Sequence, residues 1–377
     1  MNTKILWIII LTAAAASMMY FTTTWEGLKT SPNESREGGS IQLIDSAGRV
    51  VNLKQPVSRV VAIGPGSLRL LVYLNATDLI VGIEEFESRP PRGRDYGYVI
   101  HMRGLVNLSK IGIGGPDSHV NYEALLSVRP DLIIMSPVVA ARPEEVEKKT
   151  GAPVIVISYG NVGTIDLEEL NKALTTLGRA LGREKRAEEL ISYINRLTTD
   201  LSERTRGVVQ EKSVYVGAVS FKGGRPFTST QSKFPPLVLL HTGSVVDKYN
   251  ITLGAGVSWE ILLKEQPDVV FIDLANYPLV LQEFNKSRHL YCSLKAFKEG
   301  EVYGILPFNH YWTNIATMFV NAYFIGKILY PEKFVDIDIE KKAGEIYRMF
   351  LGVDIYPQLK KDFYGGFRKL DEFKCRE

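Results

Sequence analysis

The sequence lacks the short motifs that accompany the best-known kinds of catalysis. It contains no G-x-S-x-G elbow, no Walker loop and no H-E-x-x-H pair, and its 5 histidines are dispersed along the chain. Its 2 cysteines, Cys292 and Cys375, are too few for a disulfide framework or a cysteine zinc site, while a single bond between them stays open. We therefore expect no catalytic residues, no resident cofactor and no metal held by protein side chains.

An excess of charge of one sign is also missing. The chain has 45 Lys and Arg against 42 Asp and Glu, and its basic residues are scattered, so nothing favours nucleic acid as a partner. Its 377 residues exceed the usual size of one hydrophobic core, which favours two domains.

One long apolar run occurs, over residues 5–21 behind Lys4. It predicts a signal peptide or an N-terminal membrane anchor within residues 1–24, and the sequence leaves both open. Residues 25–40 are polar and read as a tether. Together they predict an extracytoplasmic protein, in the periplasm or on the outer face of the cell membrane.

The stretch from Asp166 to Arg206 organises the rest of the chain. Leucines and isoleucines recur in it at steps of three and four, with one wider gap between Leu181 and Leu190. Asp166 and Glu169 resemble a capping box, and Gly207 is a stop signal. We predict one long linking helix over residues 164–206.

A repeat flanks this predicted helix. Residues 121–126 read N-Y-E-A-L-L and are followed by P-D-L-I-I at 130–134, while residues 258–263 read S-W-E-I-L-L and are followed by P-D-V-V-F at 267–271. Each copy predicts an N-capped helix, a Pro-Asp turn and a buried strand. The repeat therefore indicates a duplicated architecture.

Strand and helix signals alternate on both sides of the helix, which is typical of parallel sheets with right-handed crossovers. We predict an α/β fold of two Rossmann-like lobes with parallel sheets, an N-terminal lobe over residues 41–163 and a C-terminal lobe over 207–377, joined by the one long helix. Residues 85–109 read as a long loop. The Gly64-Pro65-Gly66 turn, with Glu84 further on, is a poor match to a dinucleotide fingerprint and favours a tight turn that opens a helix.

Ligands of open α/β sheets sit at the carboxyl ends of the strands, so two such lobes predict a ligand-binding cleft between them. Loops at these ends carry aromatic, cationic and hydrogen-bonding side chains, a mixture that suits a large planar or chelated ligand. We predict that Ser67 and Tyr159 line one side of the cleft. The predicted opposite side comprises Phe221, Arg225, Tyr277, His310 and Tyr311.

Residues 41–352 resemble the substrate-binding receptors of ABC importers, of the class that handles ferric siderophores, haem and cobalamin. The resemblance rests on R-V-V-A-I-G-P-G-S at 59–67, on the linking helix and on both repeat copies. It implies capture of a metal chelate (an iron siderophore, haem or a corrinoid) and delivery to an ABC permease with its cytoplasmic ATPase. It also implies that Glu123 and Glu260 dock onto arginines of the permease.

Two other functions compete with this one. A receptor for a free metal ion or another small molecule uses the same fold, but a free-ion site needs clustered His and carboxylate ligands that the sequence does not show. An enzyme acting in the cleft would need a catalytic set, which is not found either.

Overall fold

The computed structural model describes residues 39–115 and 119–375. The predicted signal or anchor over residues 1–24, and nearly all of the predicted tether over 25–40, lie outside them. Within the described residues no helix is both long enough and apolar enough to cross a membrane.

Strands and helices alternate through most of the chain, as the sequence predicts. The strands are β1 Ser40–Ile44, β2 Val50–Lys54, β3 Val60–Ile63, β4 Ile80–Ile83, β5 Ser109–Lys110, β6 Leu132–Met135, β7 Val154–Val156, β8 Val214–Gly217, β9 Val269–Asp273, β10 Val302–Ile305 and β11 Arg368–Lys369. The helices are α1 Ser67–Tyr73, α2 Asp95–Met102, α3 Tyr122–Val128, α4 Pro143–Thr150, α5 Leu167–Leu181, α6 Glu184–Thr205, α7 Pro235–Val238, α8 Trp259–Glu265, α9 Tyr277–Lys286, α10 Arg288–Tyr291, α11 Lys295–Glu299, α12 Ile315–Leu329, α13 Ile339–Leu351 and α14 Tyr356–Asp362.

Two parallel sheets form the framework, which confirms the α/β class. The first has the strand order β5-β4-β3-β6-β7, and the second has the order β11-β10-β9-β8 with β11 antiparallel at its edge. Strands β3, β6 and β9 are buried along their whole length, because helices cover both faces of a parallel sheet. The hairpin of β1 and β2 stands apart as a separate sheet.

The prediction of one helix over 164–206 is wrong. Helix α5 ends at Leu181, Gly182 takes a left-handed conformation with φ 63°, and α6 begins at Glu184. Glycine adopts this conformation without the steric cost of a Cβ, so it ends the helix. The break coincides with the wider gap in the leucine pattern, and α6 is the longer of the two helices.

Helix α6 has 22 residues and is about 33 Å long. Near its start, the Arg186 Nε donates to the backbone oxygen of Tyr73 at the end of α1, 3.0 Å away. Near its end, Arg204 pairs with Asp336 at 2.7 Å in the second half of the chain. We call the described residues before α5, which form the first sheet, the first half, and those after α6, which form the second sheet, the second half. Helix α6 contacts both halves.

The repeat extends to individual hydrogen bonds. Asp131 accepts from the backbone N–H of Ser58 at 2.9 Å, and Asp268 accepts from the backbone N–H of Ser213 at 2.8 Å. Each aspartate thus ties the start of its own strand to the segment that enters the neighbouring strand. Asn121 and Ser258 cap α3 and α8 through their side chains, as the sequence predicts.

The structure also bears on the predicted loop over residues 85–109 and on the two cysteines. Residues 85–109 are not a plain loop, because they contain α2 and two short 3-10 turns. Cys292 and Cys375 form a disulfide bond that ties the C-terminal segment to the end of α10. Residues 40–377 form one compact unit, so the lobe boundaries at 163 and 207 stay predictions.

Candidate functional site

The turn after β3 forms part of the first side of the candidate site. Gly64 and Gly66 both have φ near +85°, at 84° and 85°, and they carry the chain directly into α1. The Gly64 N–H donates to the carboxylate of Glu84 at 3.0 Å. Ser67 is buried, and its hydroxyl donates to the backbone oxygen of Ile63 at 3.1 Å. The hydroxyl of Ser67 is therefore committed to its own turn.

A loop from the second half, residues 309–314, lies against these first-half residues. Asn309 and Thr313 pair across it in an antiparallel bridge. Tyr311 and Trp312 between them have φ of 55° and 90°, in the left-handed region that non-glycine residues rarely adopt. Each such residue costs on the order of 1–3 kcal/mol and persists only where its surroundings hold it.

Contacts across to the first half hold that loop. The Tyr311 hydroxyl donates to Glu84 at 2.7 Å and accepts from the Gly115 N–H at 2.9 Å. The Trp312 indole donates to the backbone oxygen of Gly160 at 3.0 Å. We call this meeting of loop 309–314 with the strand-end loops of the first sheet the junction.

Arg69, which is fully buried, lies at the centre of the junction. Its guanidinium pairs with Asp95 at 3.2 Å and donates to Asn314 Oδ1 at 2.6 Å. It also donates to the Tyr159 hydroxyl, and it stacks 4.7 Å over the ring of Tyr96. Burial raises the pKa of Tyr159 to about 12, against the opposing charge of Arg69, so its hydroxyl stays protonated at neutral pH.

Gly163 joins the two halves at a second point of the junction. Its N–H donates to the Thr313 hydroxyl at 2.9 Å, and its oxygen accepts from the Gln231 side chain at 2.6 Å. A Cβ added at Gly163 would lie 2.5 Å from a methyl group of Leu253, so only glycine fits this approach.

His310 is partly buried within the same loop. Its ring lies 6.1 Å from that of Phe86, measured between centroids. Burial, together with the positive charges of Arg94 and Arg69, lowers the pKa of His310 to about 4. The imidazole is therefore neutral at physiological pH.

Of the residues predicted to line the cleft, Tyr159, His310 and Tyr311 have contacts in the junction, while Ser67 lies in the turn that leads into α1. Phe221 and Arg225 form a half-buried pair instead, with the guanidinium carbon 5.6 Å from the ring centroid. Their link to the junction is indirect, since the neighbouring Ser220 accepts from Asn309 at 3.1 Å.

The expectation that Tyr277 faces the other half needs correction. Its ring packs 4.4 Å from that of Tyr364, and its hydroxyl donates to Glu372 at 2.5 Å. Both partners belong to the C-terminal segment, which the disulfide secures. Tyr277 follows β9 as predicted, but the structure fills its surroundings with this segment rather than with first-half loops.

Three junction residues were not predicted as site residues: Arg69, Glu84 and Asn314. The available signals in the sequence are a charged residue at position 69, just after the glycine-rich turn, and another at position 84, just after an apolar strand. A buried arginine needs a partner, but the sequence does not show that Asp95 and Asn314 supply it.

The two predicted docking residues occupy equivalent places. Glu123 and Glu260 are both exposed, and each lies in the first turn of a capped helix of 7 residues. Because Asn121 and Ser258 already satisfy the helix ends, neither carboxylate is needed as a cap. This pattern agrees with the expected exposure and leaves docking itself a prediction.

A depression of about 400 Å³ lies away from the junction, between α6, α12 and α13. Its charged groups pair with one another, as Arg204 does with Asp336 at 2.7 Å and Lys342 with Glu345 at 2.7 Å. These ion pairs neutralise one another's charge within the depression.

Comparison with known proteins identifies the architecture. The periplasmic binding protein family matches residues 60–307. The molybdate-binding protein MolA of Haemophilus influenzae is 22% identical over 339 residues, covering 84% of this chain and 92% of that protein. The solved structure of MolA bound to molybdate matches with a TM-score of 0.65 at 19% identity, covering 83% of this chain and 98% of that chain.

Two further solved structures share the fold. A TroA-like periplasmic binding protein, FepB of Veillonella parvula, gives a TM-score of 0.62 at 21% identity, covering 83% of this chain and 97% of that chain. The periplasmic catecholate-siderophore binding protein VctP of Vibrio cholerae gives 0.55 at 15% identity, covering 75% of this chain and 99% of that chain. At these identities the likeness establishes the fold and leaves the ligand of this chain open.

Proposed function

The chain belongs to the periplasmic binding protein family, and we propose that it captures a metal chelate at the junction and delivers it to the permease of an ABC importer. Periplasmic binding proteins of this family are the extracytoplasmic solute receptors of such importers. The proposal adds the ligand class: a ferric siderophore, haem or a corrinoid. No resident cofactor is part of it.

One observation carries the proposal. The loop at the carboxyl end of β10 enters the strand-end loops of the first sheet, and the contact combines aromatic rings with fixed polar groups. The rings of Phe86 and Tyr311 lie 4.2 Å apart here, beside His310 and Trp312. A strand-end position with several rings and a few fixed hydrogen-bonding groups is the composition expected of a small-molecule site.

Among the relatives, VctP is named for a catecholate siderophore and MolA for molybdate. Both names describe binding proteins, which supports a receptor over a two-lobe enzyme. A receptor for a free metal ion is the second candidate. The part of the chain that the structure describes holds no group of three His, Cys, Asp or Glu side chains suited to a metal ion, so no observation favours that candidate.

Two tyrosines of equal burial provide the binding test. Tyr311 and Tyr277 are each 9% exposed, but only Tyr311 contacts the junction. Truncating Tyr311→Ala should weaken chelate binding by roughly 1–3 kcal/mol, the usual cost of losing a buried aromatic contact with a ligand. The measurement is a titration of the purified chain with ferric siderophores, haemin and cyanocobalamin, followed in the visible spectrum.

Tyr277→Ala is the matched control and should leave affinity within about twofold, because its contacts lie with the C-terminal segment. Equal losses in both variants would show that general destabilisation, rather than the junction, sets affinity. Tight chelate binding that Tyr311→Ala does not change would place the site elsewhere.

Delivery to the permease is proposed to use Glu123 and Glu260. Two exposed carboxylates at equivalent positions of a duplicated fold suit two basic patches on a two-fold or pseudo-two-fold permease. We propose that the protein works with this permease and its cytoplasmic ATPase. We also propose that the apolar segment within residues 1–24 directs or anchors the chain outside the cytoplasm.

Substitution at both glutamates tests the docking. Alanine at either site should leave folding and chelate affinity unchanged but reduce permease binding, by about 2–5 kcal/mol where the pair becomes buried and by less at a rim. Lysine should be worse than alanine, since it sets cation against cation. Glu188→Lys, at an exposed position on α6, is the control. Wild-type uptake by the double lysine variant, with an assembled permease, would limit both glutamates to interactions with their own helices.

A further inference from the structure

Two buried amide oxygens of the junction and its edge have no hydrogen-bond partner among the described residues. Gln231 is 5% exposed and Asn309 is 7% exposed, yet Gln231 Oε1 and Asn309 Oδ1 both lack a donor within that part of the chain. The orientation of each amide is fixed, because its nitrogen faces a backbone oxygen: Gly163 O at 2.6 Å from Gln231, and Ser220 O at 3.1 Å from Asn309. A buried acceptor without a donor is costly, so a donor from a bound water or from a ligand is favoured at both atoms.

A buried carboxylate lies near Asn309. Asp273, at the end of β9, is 1% exposed, and it accepts from the backbone N–H of Ser220 at 3.2 Å and of Ala275 at 2.9 Å. These partners are peptide groups rather than a cationic side chain. Ser220 thus connects Asp273 to Asn309, and the strand ends of the second sheet present an excess of acceptor oxygens.

The two buried arginines of the first half, Arg69 and Arg94, already pair with carboxylates. Arg69 pairs with Asp95 at 3.2 Å, and Arg94 pairs with Glu87 at 2.6 Å. Although Arg94 Nε has no partner, the rest of its guanidinium also donates to the backbone oxygens of Phe86 and Arg89. His310 is neutral at physiological pH, as shown above. A ligand that brings negative charge would find these cations occupied and would meet Asp273 and Glu84.

We propose that the ligand presents hydrogen-bond donors or a positive charge to Asp273, Asn309 and Gln231, and is a neutral or cationic metal chelate with peripheral amide, hydroxyl or ammonium groups. Ferric hydroxamates and corrinoids have this chemistry. Bare oxyanions and carboxylate-bearing chelates such as haem do not. The inference rests on the proposed function and selects among its ligand classes.

Two chelates that share one ferric core but carry opposite pendant charges provide the test. Ferrioxamine B carries a pendant ammonium, and its N-succinyl derivative carries a carboxylate on the same ferric trihydroxamate. The purified full chain is titrated with both, with cyanocobalamin, and with molybdate and haemin, using tryptophan fluorescence because Trp312 lies in the junction. Ferrioxamine B or cyanocobalamin should bind at least about tenfold tighter than each of the three anions, the scale of one satisfied buried acceptor.

A variant separates ligand recognition from structure. Asn309→Asp should tighten ferrioxamine B and weaken the N-succinyl form, so the ratio of the two dissociation constants rises about tenfold or more. A purely structural role would weaken both probes alike and leave the ratio unchanged. Asn171→Asp is the control, since Asn171 on α5 also has an amide oxygen without a partner but lies in another part of the fold. The unfolding midpoint without ligand reports whether each variant folds.

Any of the anions binding as tightly as the donor-bearing chelates would overturn the inference, as would an unchanged ratio for Asn309→Asp or no binding of either donor-bearing chelate. None of these results bears on the receptor function itself, which is judged by the docking glutamates. Uptake that depends on Glu123 and Glu260, together with preference for an anion, would leave an importer receptor with another ligand class.

Discussion

Replacing Arg69 with methionine should be one of the most damaging single changes in this protein. The substitution keeps most of the side-chain volume but removes the charge that faces Asp95, which is 1% exposed. Breaking a buried ion pair by removing one partner costs about 3–5 kcal/mol, because it leaves an uncompensated buried charge. Asp95 keeps its hydrogen bonds from the Tyr73 hydroxyl at 2.7 Å and the Tyr96 N–H at 2.8 Å, which places the expected loss near the lower end, at about 3 kcal/mol.

The measurement is the free energy of unfolding from urea titrations of the wild type and Arg69→Met. Arg142→Met is the control, because the Arg142 side chain is 85% exposed and its loss should change stability by no more than about 0.5 kcal/mol. Adding Asp95→Asn to Arg69→Met removes the unpaired charge and should recover about 1–2 kcal/mol through coupling of the two sites. A loss below about 1 kcal/mol for Arg69→Met, or no recovery in the double variant, would refute the central role given to this pair.

The remaining predictions concern pH and the disulfide. Folding lowers the pKa of His310 from 6.5 to about 4, so the unfolded chain binds more protons than the folded chain between these pH values. The contribution of neutral His310 to the free energy of unfolding is therefore fully present above about pH 6.5 and is lost as the pH falls through 4. His310→Gln should therefore lose about 2 kcal/mol less stability than the wild type between pH 7.5 and 5 in urea titrations, and equal losses would contradict the low pKa. Asp273 acts in the opposite direction in the wild type and in His310→Gln. Burial raises its pKa to about 6, so its protonation stabilises the folded state as the pH falls. Cys375→Ser opens a loop of 83 residues and should cost about 2–4 kcal/mol, with no further loss on adding Cys292→Ser; a further loss would mean that Cys292 stabilises the fold independently of the bond.

The duplicated architecture could be predicted because its signals are local. A cap residue, a helix, a Pro-Asp turn and an apolar strand follow one another within a few residues in each copy. Asp131 and Asp268 then act on segments far away in sequence, Ser58 and Ser213, yet the same strand pairing brings both aspartates to their partners. Local pattern and parallel topology together were sufficient here.

The break at Gly182 could not be decided from the helical pattern alone. Gly178 and Gly182 lie one turn apart, and either could interrupt a helix or be tolerated within it. The deciding contact lies between two helices: a Cβ added at Gly178 would lie 2.7 Å from the Cβ of Ala187 on α6. Gly178 therefore stays helical and permits close packing, while Gly182 supplies the left-handed residue at which the chain turns.

The contacts of the predicted cleft residues could be predicted from the sequence only in part. The aromatic loop at the end of β10 could be located from the sequence, and a ligand contact for the Tyr311 ring stays a prediction. The bond from the Tyr311 hydroxyl to Glu84 across the junction could not be predicted. Tyr311 and Trp312 hold strained backbone conformations that their own sequence does not favour. The bonds to Glu84 and Gly160 offset that strain, so the loop takes its shape from residues far away in the chain. A ligand that enters the junction must supply replacement contacts, and the unpartnered oxygens of Gln231 and Asn309 indicate that hydrogen-bond donors are what it must bring.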